Sequence, residues 1–218
     1  MEVTTVAVTP FQQNCAVLRC TATGKGAVVD PGGDLELVLA EVERREVEVE
    51  QVLLTHGHLD HAAGARQLAQ RLGVPVVGPQ EEDRFWLEGM PRQAEMFGLG
   101  EADPVTPDRW LEHGETVAVG EVELEVLHCP GHTPGHVAFF DPGSRQALVG
   151  DLLFQGSIGR TDFPRGDYDT LIHSLTERLL PLGDDVHFFC GHGPESTFGH
   201  ERRTNPFLLD PDRFRGMV

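Results

Sequence analysis

The feature that most constrains this chain is a short loop made almost entirely of metal-binding residue types. Residues 55–61 read Thr-His-Gly-His-Leu-Asp-His, and an apolar run at 52–54 leads directly into them. Four metal-binding side chains within six residues cannot all face one point from a regular strand or helix. The sequence therefore predicts a tight loop at a strand end, with Gly57 supplying the backbone freedom. Imidazole nitrogens and a carboxylate oxygen suit zinc, iron or manganese. The simpler alternative is a surface loop that happens to be rich in histidine, although local clusters of this kind usually bind metal.

Partners for this metal loop (residues 55–61) occur later in the chain, each after an apolar strand pattern. The runs 122–127, 147–149 and 186–190 each end at a glycine or a turn, and a histidine or an aspartate follows. Together with the loop, this makes five histidines and two aspartates, which is more than one tetrahedral ion can use. Two adjacent ions need about this many ligands. The candidate ligands of the predicted two-metal site are His56, His58, Asp60, His61, His132, Asp151 and His192.

These motifs resemble those of the metallo-β-lactamase superfamily. The pattern His-x-His-x-Asp-His at 56–61, with the three later ligands, is highly specific for that superfamily. The stretches Pro-Gly-His-Thr-Pro-Gly-His at 130–136 and Gly-Ser-Ile-Gly-Arg-Thr-Asp-Phe-Pro at 156–164 are similar to its glyoxalase II-like branch, the hydroxyacylglutathione hydrolases. The short, single-domain bacterial members of that branch are the most similar. The likeness extends to about Leu208 and implies an α/β fold, the four-layer αββα sandwich, with the site at one open edge.

The resemblance also implies how the ligands divide between two metal positions. One set is His56, His58 and His132, and the other is Asp60, His61 and His192. Asp151 would bridge the two ions, because the two oxygens of a carboxylate can face two cations. Water shared by two cations loses a proton readily, and the resulting hydroxide would attack a carbonyl carbon. Asp60 and Asp151 are therefore the expected catalytic residues. A lactamase-like member carries cysteine where Asp151 stands, so the aspartate favours a hydrolase over an antibiotic-degrading enzyme.

Two residues near these motifs are expected to stay outside the ligand set. His136 belongs to the same motif as His132 but begins a strand, which favours a supporting or structural role. Cys190 lies two residues before His192, where a thiolate could contact a metal. A packed, small apolar residue is the favoured interpretation of this cysteine.

Charge and cysteine content limit the classes of partner and the compartment. The formal net charge is −18, with Lys25 as the single lysine, and such an acidic surface repels nucleic acid and anionic membrane. The four cysteines show no paired spacing, which favours a reducing compartment. Met1 leads directly into an alternating strand pattern, so a cytoplasmic protein without a membrane span is expected. The length fits one domain, residues 1–218, without a C-terminal helical substrate domain.

The least regular part of the chain is residues 79–110, here called the excursion segment. Aromatic and other large apolar residues lie there among charges, glycines and prolines. The favoured interpretation is a helical excursion packed on the scaffold, and the alternative is a wall or lid of the substrate cleft. Farther along, the apolar stripe at 169–180 predicts a helical segment.

For substrate binding, the resemblance points to Arg160. This position matches the basic residue that two-domain glyoxalase II enzymes use near the cysteinyl-glycine part of glutathione, whereas the tyrosine that they carry two residues later is Asp162 here. The presence of Asp162 in place of that tyrosine weakens the expectation that the protein binds glutathione, but it does not weaken the expectation that the protein is a hydrolase. A structural ion pair between Arg160 and Asp162 is the alternative.

Three functions fit the sequence. The first is hydrolysis of a small-molecule thioester, S-lactoylglutathione or a related acyl thiol, because a thiolate is a good leaving group and needs no strong general acid. The second is an iron-dependent persulfide dioxygenase, since such relatives share the metal motif and Gly-Arg-Thr-Asp-Phe at 159–163. The third is a lactone-hydrolysing or non-catalytic member. The sequence specifies neither the metal, nor the acyl group, nor the oligomeric state.

Overall fold

The structure is a computed structural model that describes residues 1–216, and residues 217 and 218 of the expected domain lie outside it. The strands are β1 Glu2–Val8, β2 Gln13–Arg19, β3 Lys25–Val29, β4 Glu48–Leu53, β5 Val76–Val77, β6 Thr116–Val119, β7 Val122–His128, β8 Val137–Asp141, β9 Gln146–Gly150, β10 Leu153–Phe154, β11 Ser157–Ile158, β12 His187–Cys190 and β13 Ser196–Thr197. The α-helices are α1 Leu35–Arg44, α2 Leu59–Ala62, α3 Ala65–Leu72, α4 Arg84–Glu88, α5 Met90–Phe97, α6 Tyr168–Ser174, α7 Phe198–Thr204, α8 Pro206–Leu209 and α9 Pro211–Phe214. None of the helices in this described part is long and apolar enough to span a bilayer.

Two mixed sheets form the centre of the molecule. The first has the strand order β1-β2-β3-β4-β5, and the second has the order β13-β12-β9-β8-β7-β6. In the first sheet, β3 pairs with β4 and β4 with β5 in parallel, whereas β1, β2 and β3 pair antiparallel. In the second, β12 lies parallel to β9 and the other pairs are antiparallel. β10 and β11 form a separate small hairpin.

The two sheets pack face to face, and each carries helices on its outer face. Leu18, Leu53, Phe139 and their neighbours fill the space between the sheets. On the outer face of the first sheet, strand residues pack against α1 and α3. On the outer face of the second, they pack against α6 and α7. Both faces of the central strands are thus buried, which explains their nearly continuous apolar sequences. The expected four-layer αββα sandwich is confirmed.

The helical segment predicted at 169–180 is observed, and its helix type changes along the chain. α6 ends at Ser174, and the chain continues as a π-helical turn at Leu175–Leu179 and a 3₁₀ turn at Leu180–Leu182. The Thr176 hydroxyl donates to the Ile172 carbonyl, which competes with regular helix bonding. Pro181 lacks an amide hydrogen and cannot continue an α-helix. The apolar stripe thus predicted a helical segment with a buried face, and Leu171, Leu175 and Leu179 are fully buried.

The strand ends of both sheets meet at one edge of the sandwich. β3 and β4 in the first sheet end at this edge, as do β7, β9 and β12 in the second. Backbone hydrogen bonds join the sheets there, from the Asn14 amide to the Gly191 carbonyl at 2.7 Å and from the Val137 amide to the Thr55 carbonyl at 2.8 Å. Residues that directly follow these strands are therefore held close together.

Candidate metal centre

All seven candidate ligands meet at this edge. The metal loop follows β4. His58 is the N-cap residue of α2, a single helical turn that carries Asp60 and His61. From the second sheet, His132 lies between β7 and β8, Asp151 directly follows β9, and His192 follows β12. The short loop at a strand end that the sequence predicts is therefore observed, although Asp60 lies within the first turn of a helix.

His56, His58 and His132 form the first cluster. The His56 Nε2 and His58 Nδ1 atoms are 3.1 Å apart, and the His132 Nε2 and His58 Nδ1 atoms are 2.9 Å apart. All three side chains are buried, and their metal-binding atoms lie within 4.8 Å of one another. Three imidazole nitrogens that face a common point at this spacing form a geometry that suits a metal ion.

Asp60, His61 and His192 form the second cluster. The His192 Nε2 atom lies 3.2 Å from Asp60 Oδ2, and the His61 Nε2 atom lies 3.8 Å from the same oxygen. The carboxylate of Asp151 lies between the clusters. Its Oδ1 atom is 3.3 Å from His61 Nε2, and its Oδ2 atom is 3.7 Å from His132 Nε2. One aspartate thus faces both groups of histidines.

Hydrogen bonds on the far sides of the imidazole rings fix which nitrogens can bind a metal. The His132 Nδ1 atom lies 2.7 Å from the Arg160 carbonyl oxygen, and the His61 Nδ1 atom lies 3.0 Å from Asp30 Oδ2. Both partners can only accept, so each Nδ1 carries the proton and each Nε2 presents a lone pair toward the centre. His61 Nε2 and Asp151 Oδ1 are buried without a hydrogen-bond partner. The donor set therefore fits metal ions.

Burial keeps the first cluster in the protonation state that metals require. Loss of solvent lowers the pKa values of His56, His58 and His132, which favours neutral imidazole. Burial alone would raise the pKa of Asp151, but His61, His132 and His192 hold it well below its usual range. The bridging carboxylate is therefore ionised.

Gly191 makes this convergence possible. A Cβ atom at this position would lie 2.1 Å from Asp151 Oδ1 and 2.5 Å from His61 Cε1. No side chain fits at such distances, so the glycine before His192 is needed for space.

Asp30 orients the metal loop from the end of β3. Its carboxylate accepts from the Thr55 amide at 2.7 Å, from the Thr55 hydroxyl at 2.5 Å and from His61 Nδ1 at 3.0 Å. These bonds fix the start of the loop and the ring of a ligand, which is the usual task of a carboxylate behind a metal-binding histidine.

The excursion segment holds the same loop from the opposite side. Asp83 accepts from the Gly57 amide at 2.8 Å, from the Thr133 hydroxyl at 2.7 Å and from the Gly135 amide at 2.6 Å. It thereby ties the metal loop to the loop that carries His132. Burial raises the pKa of Asp83 to about 6, although the three donors oppose the shift.

Gln93 completes this contact. Its Oε1 atom accepts from the Leu59 amide at 3.0 Å, and its Nε2 atom donates to the Gly57 and Trp86 carbonyls at 3.2 and 2.9 Å. Polar backbone groups of the metal loop are thus satisfied by side chains of the excursion segment.

His136 and Cys190 lie outside the ligand set in the way that the sequence favours. The His136 ring stacks on His56 with centroids 4.6 Å apart, and its Nε2 atom accepts from the Asp151 amide at 3.1 Å. Cys190 is buried, and its thiol lies 3.0 Å from the His192 carbonyl oxygen. Burial raises the pKa of this thiol to about 12, so it is not a thiolate.

A cleft of about 660 Å³ opens directly onto the metal centre. Trp86 and Phe163 lie nearest the first cluster, with ring centroids 4.6 and 5.0 Å from that of His58. The cleft walls contain six aromatic side chains, namely Phe11, Phe85, Trp86, Phe97, Phe154 and Phe163. Three of these come from the excursion segment, whose Leu87, Met90 and Ala94 pack into the core. The segment is therefore both a packed helical excursion and a wall of the cleft.

Arg160 lines this cleft and is already paired. Its Nε and Nη2 atoms donate to the two carboxylate oxygens of Asp162, both at 2.7 Å, and its guanidinium lies 4.1 Å from the Phe163 ring centroid. The structure thus contains the ion pair named above as the alternative, at a position that also reaches the substrate space.

Sequence reasoning missed the residues that support the ligands. Asp30 follows an apolar strand just as Asp151 does, so the strand-end rule could have found it, but its Pro-Gly-Gly neighbours read as a turn. Asp83 and Gln93 carry no such signal, because they lie in a segment without regular spacing.

Comparisons with known proteins agree with this geometry. A family model described as the Metallo-beta-lactamase superfamily matches residues 8–192. The chain is 47% identical over 209 residues to the hydroxyacylglutathione hydrolase GloC of Haemophilus influenzae, covering 95% of this chain and 98% of that protein. The crystal structure of TTHA1623 in a di-iron-bound form has a TM-score of 0.86 and 40% identity, and covers 94% of this chain and 100% of that one. The BLEG-1 B3 metallo-beta-lactamase has a TM-score of 0.88 and 32% identity, with coverages of 95% and 99%.

Proposed function

Because the chain belongs to the metallo-beta-lactamase superfamily, we propose that it is a dinuclear metal-dependent hydrolase of thioesters, with S-lactoylglutathione or a related acyl thiol as substrate. The similarity to the hydroxyacylglutathione hydrolase of Haemophilus influenzae supports this substrate class.

The chain's own residues would hold two divalent ions, zinc foremost, with iron or manganese as alternatives. When bound, such ions supply a Lewis acid and a hydroxide nucleophile near neutral pH. The neutral histidines His56, His58 and His132 would hold one ion, and Asp60, His61 and His192 the other. Asp151 would contribute to both positions, since one of its oxygens faces each cluster. Trp86 and Phe163 would exclude bulk water beside the first position.

One observation carries the choice of a thioester over an amide. Besides the candidate ligands, the described residues that line the cleft include no carboxylate, histidine, lysine, tyrosine or cysteine. Hydrolysis of an amide releases an amine that must be protonated, so it profits from a general acid. Hydrolysis of a thioester breaks a carbon–sulfur bond and releases a thiolate, which leaves without one. The lining therefore suits a thioester best.

Arg160 is the proposed contact for the thiol carrier, through the part of its guanidinium that Asp162 does not use. An acidic chain with a formal charge of −18 suits small-molecule turnover better than work on nucleic acid or an anionic membrane. The four cysteines, all within the described residues, are free thiols, which supports a cytoplasmic location.

The test combines metal analysis with turnover. Protein purified without chelator is assayed for bound zinc, iron and manganese, and then for hydrolysis of S-lactoylglutathione. We expect about two ions per chain and thioester hydrolysis that a chelator abolishes.

Three parallel assays identify the alternatives. They measure oxygen uptake with glutathione persulfide, lactone hydrolysis and β-lactam hydrolysis. Metal-loaded protein that turns over one of these substrates and no thioester would overturn the proposal.

A further inference from the structure

The cleft has two cationic side chains in its lining, and they differ in how their charge is balanced. Arg160 forms the bidentate ion pair with Asp162 described above. Arg92, on α5, lines the same cleft. Within residues 1–216, its guanidinium makes no hydrogen bond, ion pair or ring contact. Arg92 is therefore the unpaired positive charge of the cleft.

Neighbouring arginines show that this is a local exception. Arg84, eight residues earlier on α4, pairs with Glu81 at 2.5 Å. Arg165, whose guanidinium lies 5.0 Å from the ring centroid of Phe85, pairs with Glu82 at 3.0 Å. In a chain with a formal charge of −18, an arginine without a partner at a substrate cleft marks a place where an anion is favoured.

Several apolar side chains line the cleft together with Arg92. Met96 lies one helical turn later on the same face of α5 and is 65% exposed. Phe97 and Phe11 are 43% and 38% exposed, and their rings make an edge-to-face contact with centroids 5.4 Å apart. A substrate that covers these side chains would exclude water from Arg92. Lower local polarity strengthens an interaction between opposite charges.

We propose that Arg92 binds a carboxylate of the substrate's thiol carrier, so that the cleft selects thioesters of anionic thiols such as glutathione. This inference rests on the proposed function and extends it to a residue that the motifs do not include. Arg92 acts on specificity: it would hold the carrier at a distance from the metal centre and leave the bond-breaking chemistry unchanged. A contact of this kind is uniform binding, which changes KM more than kcat.

A binding measurement tests this independently of turnover. The metal-loaded protein is titrated calorimetrically with S-hexylglutathione, a thioether that cannot be hydrolysed, and with its diethyl ester, which lacks both carboxylates. We expect the wild type to bind the diacid about ten to a hundred times more tightly, the range for a hydrogen bond to a charged group. Arg92→Gln should remove this preference and Arg92→Lys should keep part of it. Arg84→Gln, the matched control outside the cleft, should keep all of it.

Turnover then separates this inference from the proposed function. Lactoyl thioesters of glutathione and of N-acetylcysteamine share the acyl group and differ in charge. Arg92→Gln should raise KM about tenfold or more for the first and leave the second unchanged. Equal affinity of the wild type for diacid and diester, or a preference that survives Arg92→Gln, would overturn the role of Arg92. Selective binding without hydrolysis of either thioester would overturn the proposed function and leave Arg92 as an anion-binding residue.

Discussion

The metal centre and the excursion segment build the two sides of one cleft, but they are held in place differently. The candidate ligands directly follow or flank strands of the two sheets, and most of them are buried. The cleft side of the excursion segment consists of two short helices, and Arg92, Met96 and Phe97 on α5 are exposed. Chemistry that needs fixed distances is thus placed on the rigid scaffold, and substrate contact is placed on an inserted segment.

The two regions are nevertheless connected. Asp83 and Gln93 belong to the excursion segment, yet they hydrogen-bond to the backbone of the metal loop. The segment therefore contains one group of residues that support the metal loop, such as Asp83, and another that lines the cleft without touching the loop, such as Arg92. Substitutions in the two groups should have different consequences.

The largest effect is expected at the metal centre itself. Asp151→Ala removes the carboxylate that faces both clusters, so turnover should fall by at least about a thousandfold and bound metal from about two ions to one or none. Metal analysis and thioester assays measure both. Asp185→Ala, an exposed carboxylate before β12 at the far end of that strand, serves as the control. Full turnover with two bound ions in Asp151→Ala would contradict the bridging role.

The next largest effect is expected where the excursion segment contacts the metal loop. Asp83→Ala leaves the Gly57 and Gly135 amides without their acceptor, so we expect metal affinity to fall by about ten to a hundredfold. Competition with a chromophoric chelator measures this affinity. Activity on charged and uncharged thioesters should fall by the same factor, unlike the selective loss in Arg92→Gln.

Glu82→Ala provides the matched control for Asp83. Glu82 is the exposed neighbour that pairs with Arg165, and within residues 1–216 its hydrogen bonds and ion pair do not involve the metal loop. Unchanged metal affinity in Asp83→Ala would show that the segment does not support the loop.

A smaller effect is expected at Arg160. Arg160→Ala should raise KM for glutathione thioesters a few-fold, with kcat within about twofold, if its guanidinium contacts the carrier. Asp162→Asn sharpens this test, because it frees Arg160 from its ion pair and should lower KM. If the pair is only structural, both variants should leave KM unchanged. Their melting temperatures should then fall slightly, since an exposed ion pair contributes about 0.2–1 kcal/mol.

The smallest effect is expected at the apolar rim. Phe97→Ala and Phe11→Ala remove a half-exposed ring contact, so each should raise KM about two- to threefold and leave the melting temperature nearly unchanged. The double variant should differ little from either single variant in KM, because the rings act together. A tenfold loss of kcat with metal retained would instead place this rim in the catalytic step.

The same comparison explains what could be predicted from the sequence. The ligands could be found because a strand has a short, regular pattern, and the residue after its end has a fixed place at the sheet edge. The excursion segment has no such pattern, and the positions of Asp83 and Arg92 depend on how its two helices pack. Only the general alternatives, a packed excursion or a cleft wall, could be stated, and the structure combines them.

The backbone hydrogen bonds that join the two sheets at the site have a consequence for metal binding. Each proposed metal position takes ligands from the metal loop on the first sheet and from strand-end loops of the second. Bound ions would therefore clamp the two halves of the sandwich together, and their binding energy would add to the stability of the fold. Separation of the sheets at this edge would break the bonds from Asn14 and Val137 and pull apart the ligands of both positions. Removal of the metal should thus speed the amide hydrogen exchange of these two residues.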